Sequence, residues 1–141
     1  MLMRERRAPA RRGFTLMELL VVVAIIVVLA GAAVPMFMKY LEDAKLDTAF
    51  QGAVKIAHAA EAYRLSHEGS APDSLQVLTQ PDDNGHAVFE VQDLKDPWGF
   101  EYHYLAQGTH GTTGKVEVWS GGPHGNAEIG SWMRSSREWR K

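Results

Sequence analysis

One carboxylate in this sequence stands where a charge is costly. Glu18 directly precedes residues 19–38, LLVVVAIIVVLAGAAVPMFM, a run of twenty residues without a charge. At the edge of so long an apolar run a carboxylate costs several kcal/mol unless it is protonated or meets a cation. Thr15 stands three residues before it. That is the spacing of a capping box, in which hydroxyl and carboxylate accept each other's backbone N–H at the start of a helix. An acid there also suits the positive end of the helix dipole. The chemistry on offer is capping and charge pairing; the plainer alternative is a Glu18 solvated at headgroup depth that only caps.

The other polar residue types do not assemble into a reaction centre. The six histidines, His58, His67, His86, His103, His110 and His124, are scattered, and no pair has the spacing of metal ligands on one element. No glycine-rich phosphate loop follows a strand, no Gly-x-Ser-x-Gly elbow occurs, and a chain without cysteine has no thiol nucleophile. The expectation is a protein that is not an enzyme and has no catalytic residue.

The elements that must position Glu18 follow from charge and hydropathy. As a helix, residues 19–38 span a hydrocarbon layer of about 30 Å. Residues 1–13 carry five arginines (Arg4, Arg6, Arg7, Arg11, Arg12) against Glu5, so the remainder of a chain of formal net charge −2 sums to −6. A basic flank stays cytoplasmic, which puts the C-terminal part on the far side of the membrane. That part has no cysteine, so a core or a bound ion must hold it where disulfides are the usual staple. Its acidity argues against nucleic acid as a partner. Its basic residues Arg134, Arg137, Arg140 and Lys141 gather in a tail that reads as a frayed, solvated end.

Residues 1–12 lack apolar periodicity and read as an unstructured leader. A helix is predicted from about Phe14, with a kink or soft spot over residues 31–35, where Pro35 has no N–H to give the Gly31 carbonyl. Beyond it, Leu46, Phe50, Ala53, Ala57 and Ala60 recur at helical spacing, widened by Ala49, Ile56 and Tyr63. Asp47, Gln51, Lys55 and His58 take the opposite face. The helix should stop near His67, before a cluster of turn formers. A helical turn is expected over residues 73–78, a loop over 81–85 and a first strand over 87–91. Further strands are expected near residues 100–104 and 116–119, where apolar and polar residues alternate, joined through 107–114. Asp96-Pro97 starts a turn, Gly99 permits a bend, and Trp98 is a core plug. The fold class is α+β, a long N-terminal helix packed by its second half on an antiparallel sheet of about three strands.

Arg11-Arg12-Gly13-Phe14-Thr15-Leu16-Met17-Glu18-Leu19-Leu20 resembles the type III signal of type IV pilins and type II secretion pseudopilins. The resemblance implies that a prepilin peptidase cuts between Gly13 and Phe14 and methylates the Phe14 amine. It also implies that Glu18 pairs with that amine, its own or a neighbouring subunit's, and that Pro35 is the family's helix-breaking proline. Asp96-Pro97-Trp98-Gly99-Phe100-Glu101-Tyr102-His103-Tyr104, with Trp119-Ser120-Gly121-Gly122 and Ala127-Glu128-Ile129-Gly130-Ser131-Trp132, is similar to the major, G-type pseudopilins. The architecture this implies is a cleaved leader over residues 1–13, a transmembrane and filament-core segment over 14–38, and a periplasmic head over 39–141 with an amphipathic helix over 39–67.

Membership of that family implies an inner-membrane, single-pass subunit that moves into a periplasmic filament, with Leu16, Leu19 and Leu20 in the filament core. The partners would be further copies of itself, minor pseudopilins, prepilin peptidase, the inner-membrane assembly platform and, before assembly, lipid. In the family the C-terminal loop binds calcium, a hard cation that takes six to eight oxygens. Here His124 stands where the family has an aspartate, and Ala127-Glu128 where it has an acid pair, so Glu128, Asn126 and Ser120 are the side chains left to ligate it. One alternative lies within the class and one outside it. A type IV pilin of a surface or DNA-uptake pilus would share the helix, and a soluble periplasmic binding domain released by signal peptidase would be cut near Ala30-Gly31-Ala32, beginning at Ala33.

Overall fold

The computed structural model describes residues 13–81, 85, 87–110, 114–136 and 138–140. The leader over residues 1–12, the centre of the loop at 82–84, His86, residues 111–113 of the connection 107–114, Arg137 and Lys141 lie outside the described residues. The chain divides into two compact units, one up to Lys39 and one from Tyr40 to Lys141.

One helix, α1, runs over Leu16–Ser66. Its start is fixed by Thr15 and Glu18, as the spacing predicts. Its end is fixed by a left-handed turn at Glu68 (φ 54°) and Gly69 (φ 88°), where the Gly69 N–H reaches the Arg64 carbonyl at 2.9 Å. Such a turn satisfies a carbonyl that the last helical turn leaves orphaned. The helix continues through Pro35 without interruption, so the expected soft spot is not a break in the element.

In the first unit every described residue is exposed. In the second unit α1 buries Leu46, Ala49, Ala53, Ile56, Ala57 and Ala60. Phe50 and Tyr63 pack at the margins, while Asp47, Gln51, Lys55 and His58 stay exposed. The stripe is rich in alanine because the head sits directly on the helix backbone there. Gly52 marks the tightest point: a Cβ at this position would overlap the Tyr102 hydroxyl, which donates to the Ala49 carbonyl at 3.1 Å. Gly52→Val is therefore expected to destabilise the head by about 2–3 kcal/mol, the cost of overpacking. Denaturant unfolding measures it, and adding Tyr102→Phe should recover part of the loss through coupling between the two positions.

Three strands, β1 (His103–Leu105), β2 (Glu117–Ser120) and β3 (Ile129–Gly130), form an antiparallel sheet in the order β1-β2-β3. Tyr104 lies opposite Val118, and Ser120 opposite Ile129. Val118, fully buried, and Tyr102 face the core with Ile56, Leu75, Leu78, Phe89 and Leu94. The strand count matches the expectation, but one strand is elsewhere. Residues 87–91 are not a strand: Phe89 inserts alone into the core, its N–H bonds the Leu78 carbonyl at 3.2 Å, and the chain enters a short 3-10 helix, Val91–Leu94. The third strand is Ile129–Gly130. The turn expected over residues 73–78 is the 3-10 helix Leu75–Thr79.

Among its described residues the tail is not frayed. Ser136 is 2% exposed and donates its hydroxyl to the Asp47 carboxylate on α1. Trp139, in the short helical turn Glu138–Arg140, packs against a second core cluster of Leu46, Ala49 and Ile129 that also holds Phe50, Trp98 and Ala127.

Candidate functional site

At the N-terminal motif the capping box is formed in both directions. The Thr15 N–H and hydroxyl donate to Glu18 Oε2 at 2.8 and 2.9 Å, and the Glu18 N–H donates to the Thr15 hydroxyl at 3.2 Å. The first helical bond, from the Leu19 N–H to the Thr15 carbonyl, follows at 3.2 Å. All three polar contacts of Glu18 run to Thr15, one residue from Phe14, whose ring is 85% exposed. Leu16, Leu19 and Leu20 are 82%, 60% and 58% exposed. The helix contains an eighteen-residue window of mean hydropathy 2.9, none of it buried, so it is long and apolar enough to cross a membrane. A helix apolar on every side is stable only in lipid or among other helices.

In the head, the turn at Asp96 and the C-terminal loop are tied together by one carboxylate. Asp96 Oδ1 accepts the N–H groups of Trp98 (3.1 Å) and Phe100 (2.9 Å), and Oδ2 accepts the Ser120 hydroxyl at 2.6 Å. Ser120 in turn accepts the Gly122 N–H at 3.0 Å. The loop then closes on its own carbonyls, with the Ala127 N–H on Gly121 at 2.8 Å and the Gly125 N–H on Gly122 at 3.3 Å.

Beside it, His110 stacks on Trp132, ring centroids 4.5 Å apart. Its backbone N–H and Nδ1 meet the two oxygens of Glu117 at 2.6 and 3.0 Å. That hydrogen bond raises the imidazole pKa above its ordinary value; burial opposes it, and the charges of Glu117 and Glu128 add smaller upward pushes. Glu128 lies 3.9 Å from His110 Nε2.

Two family descriptions match the chain. "Prokaryotic N-terminal methylation motif" covers residues 9–34, and "Type II secretion system (T2SS), protein G" covers residues 36–132. The chain belongs to the type II secretion system protein G family. It is similar to type II secretion system core protein G of Pseudomonas aeruginosa, 35% identical over 133 residues, 85% of this chain and 94% of that protein. The Klebsiella michiganensis protein of the same description is 31% identical over 144 residues, 93% and 99% of the two chains. The Escherichia coli one is 30% identical over 146 residues, 94% and 99%. No solved structure matches the chain.

In this protein G family member the three candidate calcium ligands sit in different surroundings. Ser120 is fully buried, with its hydroxyl committed to Asp96. Asn126 is exposed, and Glu128 turns its carboxylate toward His110. The loop carbonyls at 121 and 122 already accept N–H groups. Among the described residues no three His, Asp or Glu side chains gather as metal ligands. A cation that wants six to eight oxygens does not find them in this donor set.

Some contacts that hold the pseudopilin head are absent from its motifs. Glu61 on α1 accepts the Val116 N–H at 2.7 Å and pairs with Arg64 at 2.8 Å, while Arg64 donates to the Gly114 carbonyl at 2.7 Å. The three-residue spacing of Glu61 and Arg64 is the usual signature of a helix ion pair. It could have flagged the pair, though not the strand it grips.

Proposed function

We propose that this chain is made as a precursor, cut between Gly13 and Phe14 by prepilin peptidase, methylated on the Phe14 amine, and polymerised into the pseudopilus of a type II secretion system. The observation that carries this reading is a capped apolar segment of α1, exposed throughout residues 14–38, whose one acid, Glu18, lies four residues after Phe14. Before assembly the segment over residues 14–38 spans the inner membrane, with the basic leader in the cytoplasm and the head over 39–141 in the periplasm. After assembly lipid is replaced by identical helices, and Leu16, Leu19 and Leu20 become core contacts. Pro35 removes one backbone bond, which lets the helix adjust as it leaves the bilayer.

The partners are further copies of the chain, minor pseudopilins, the peptidase and the assembly platform. The protein performs no bond chemistry of its own. Packing of helix on helix is its mechanism, and secreted cargo is displaced by a growing filament. The intact mass of the purified membrane-extracted protein tests this. The expected species begins at Phe14 and carries one added methyl group. A species beginning at Ala33, or an uncut chain in cells that contain the peptidase, contradicts the reading.

A further inference from the structure

We propose that the tail after Trp132 is a strap that holds the C-terminal loop on α1 and makes the head's stability independent of a bound cation. Three observations converge on it. First, the loop is closed by its own groups: Ser120 joins it to Asp96, and the carbonyls at 121 and 122 bond N–H groups of residues 127 and 125. Second, the nearby carboxylates are already engaged, Glu128 beside His110, the buried Glu117 under the same imidazole, and Asp96 by the Trp98 and Phe100 N–H groups and the Ser120 hydroxyl. Third, the far end of the loop is pinned by the tail. Ile129, fully buried, and Ala127 share one cluster with Leu46, Ala49 and Trp139, so the indole closes the cluster on which the loop lands.

Ser136 fixes the path of the strap by donating to Asp47, one residue from Leu46 and nine after Met38. Arg134 is fastened by its N–H to the Glu138 carboxylate at 2.8 Å, which shapes the turn between them. These contacts lie past residue 132, where the match to the protein G family ends. The loop is thus tied at its start by Asp96 and at its end by Trp139. In a head without disulfides, both ties act where an ion would otherwise draw the loop inward.

The test is the melting temperature of the full processed chain in detergent, followed by near-ultraviolet circular dichroism. It is run with a chelator and with calcium at millimolar concentration, beside a chain ended at Trp132 and beside Trp139→Ala. The expected result for the full chain is the same midpoint in both buffers. Ending the chain at Trp132, or Trp139→Ala, should lower the midpoint by about 8 °C or more in either buffer. Amide exchange over residues 121–128 should speed up in the same variants. If the shortened chain fails to accumulate, Trp139→Ala alone carries the comparison.

Three outcomes overturn the inference. The midpoint of the full chain rises by several degrees with calcium, the signature of a ligand that binds only the folded state. Both variants melt with the full chain. Or calcium restores the shortened chain, which would make the loop an ion cage that the tail merely covers.

Discussion

Glu18→Gln is expected to leave the chain inserted, cut and methylated, while filament formation falls to a tenth of the wild-type yield or less. The substitution separates two roles that one carboxylate combines. A glutamine keeps a carbonyl oxygen for the Thr15 N–H and hydroxyl, which the carboxylate accepts at 2.8 and 2.9 Å, so the helix start survives. What disappears is the charge, and with it the attraction to a Phe14 amine. In an apolar surround that attraction is far larger than in water, and leaving the amine unpaired there costs several kcal/mol per subunit. The reciprocal variant, Thr15→Ala, removes the cap at a cost of about 1 kcal/mol but keeps the charge, and should still polymerise. Sheared filaments quantified by immunoblot, with the mass of the subunit as a control for processing, measure both. Wild-type filament yield from Glu18→Gln would reduce the residue to a cap and refute the pairing.

This pair of residues was legible in the sequence because each is identified by a local rule. A charge beside twenty uncharged residues and a threonine three positions earlier need no knowledge of the rest of the chain. The buried stripe of α1 was equally legible, since Leu46, Ala49, Ala53, Ile56, Ala57 and Ala60 repeat at the helical period over enough turns to be distinctive. The sheet was harder. Residues 87–91 have the composition of a strand, yet one apolar side chain, Phe89, plugs the core and the backbone bonds Leu78 in place of a ladder. Ile129–Gly130 is a strand of two residues, too short to display a period of two.

The polar interior was hidden for a related reason. Alternation along β2 places Glu117 on the outer face, and the structure agrees with that direction. The residue is nevertheless 3% exposed, because the stretch from Gly108 to His110 folds over it. A Cβ at Gly108 would collide with the Glu117 side chain, so a glycine outside the recognised motifs decides whether a carboxylate is wet or dry. The tail escaped in the same way. Its basic residues spoke for solvent, while the two that bind, Ser136 and Trp139, carry no spacing that sequence reading can use.

Asp96→Ala is expected to be the most damaging single change in the head, at about 3–5 kcal/mol, because it strips the acceptor from three donors at once. The side chain is 6% exposed, and the donors are the N–H groups of Trp98 and Phe100 and the hydroxyl of Ser120. Buried without partners, each forfeits its hydration and gains nothing in return. The loss propagates along the chain of bonds, since Ser120 also orients toward the Gly122 N–H at 3.0 Å and Gly122 begins the loop that the tail closes. Against a stability of about 5–15 kcal/mol for a typical domain, a large part of the margin goes, and the midpoint should fall by about 15 °C or more.

Asp96→Asn separates charge from shape. Its carbonyl can keep both turn N–H groups, and its amide can donate to a rotated Ser120 hydroxyl, so the penalty should drop to about 1–2 kcal/mol. Chemical denaturation of the two variants, read by the fluorescence of the four tryptophans, ranks them. Equal stability of Asp96→Ala and the wild type would mean that Pro97 and the left-handed Gly99 (φ 91°) hold the turn by backbone conformation alone. The order expected instead, wild type above asparagine above alanine, would show that the head is knit through one buried carboxylate. In the proposed filament the anchor, by contrast, depends on an acid, Glu18, that stays accessible to a neighbouring chain.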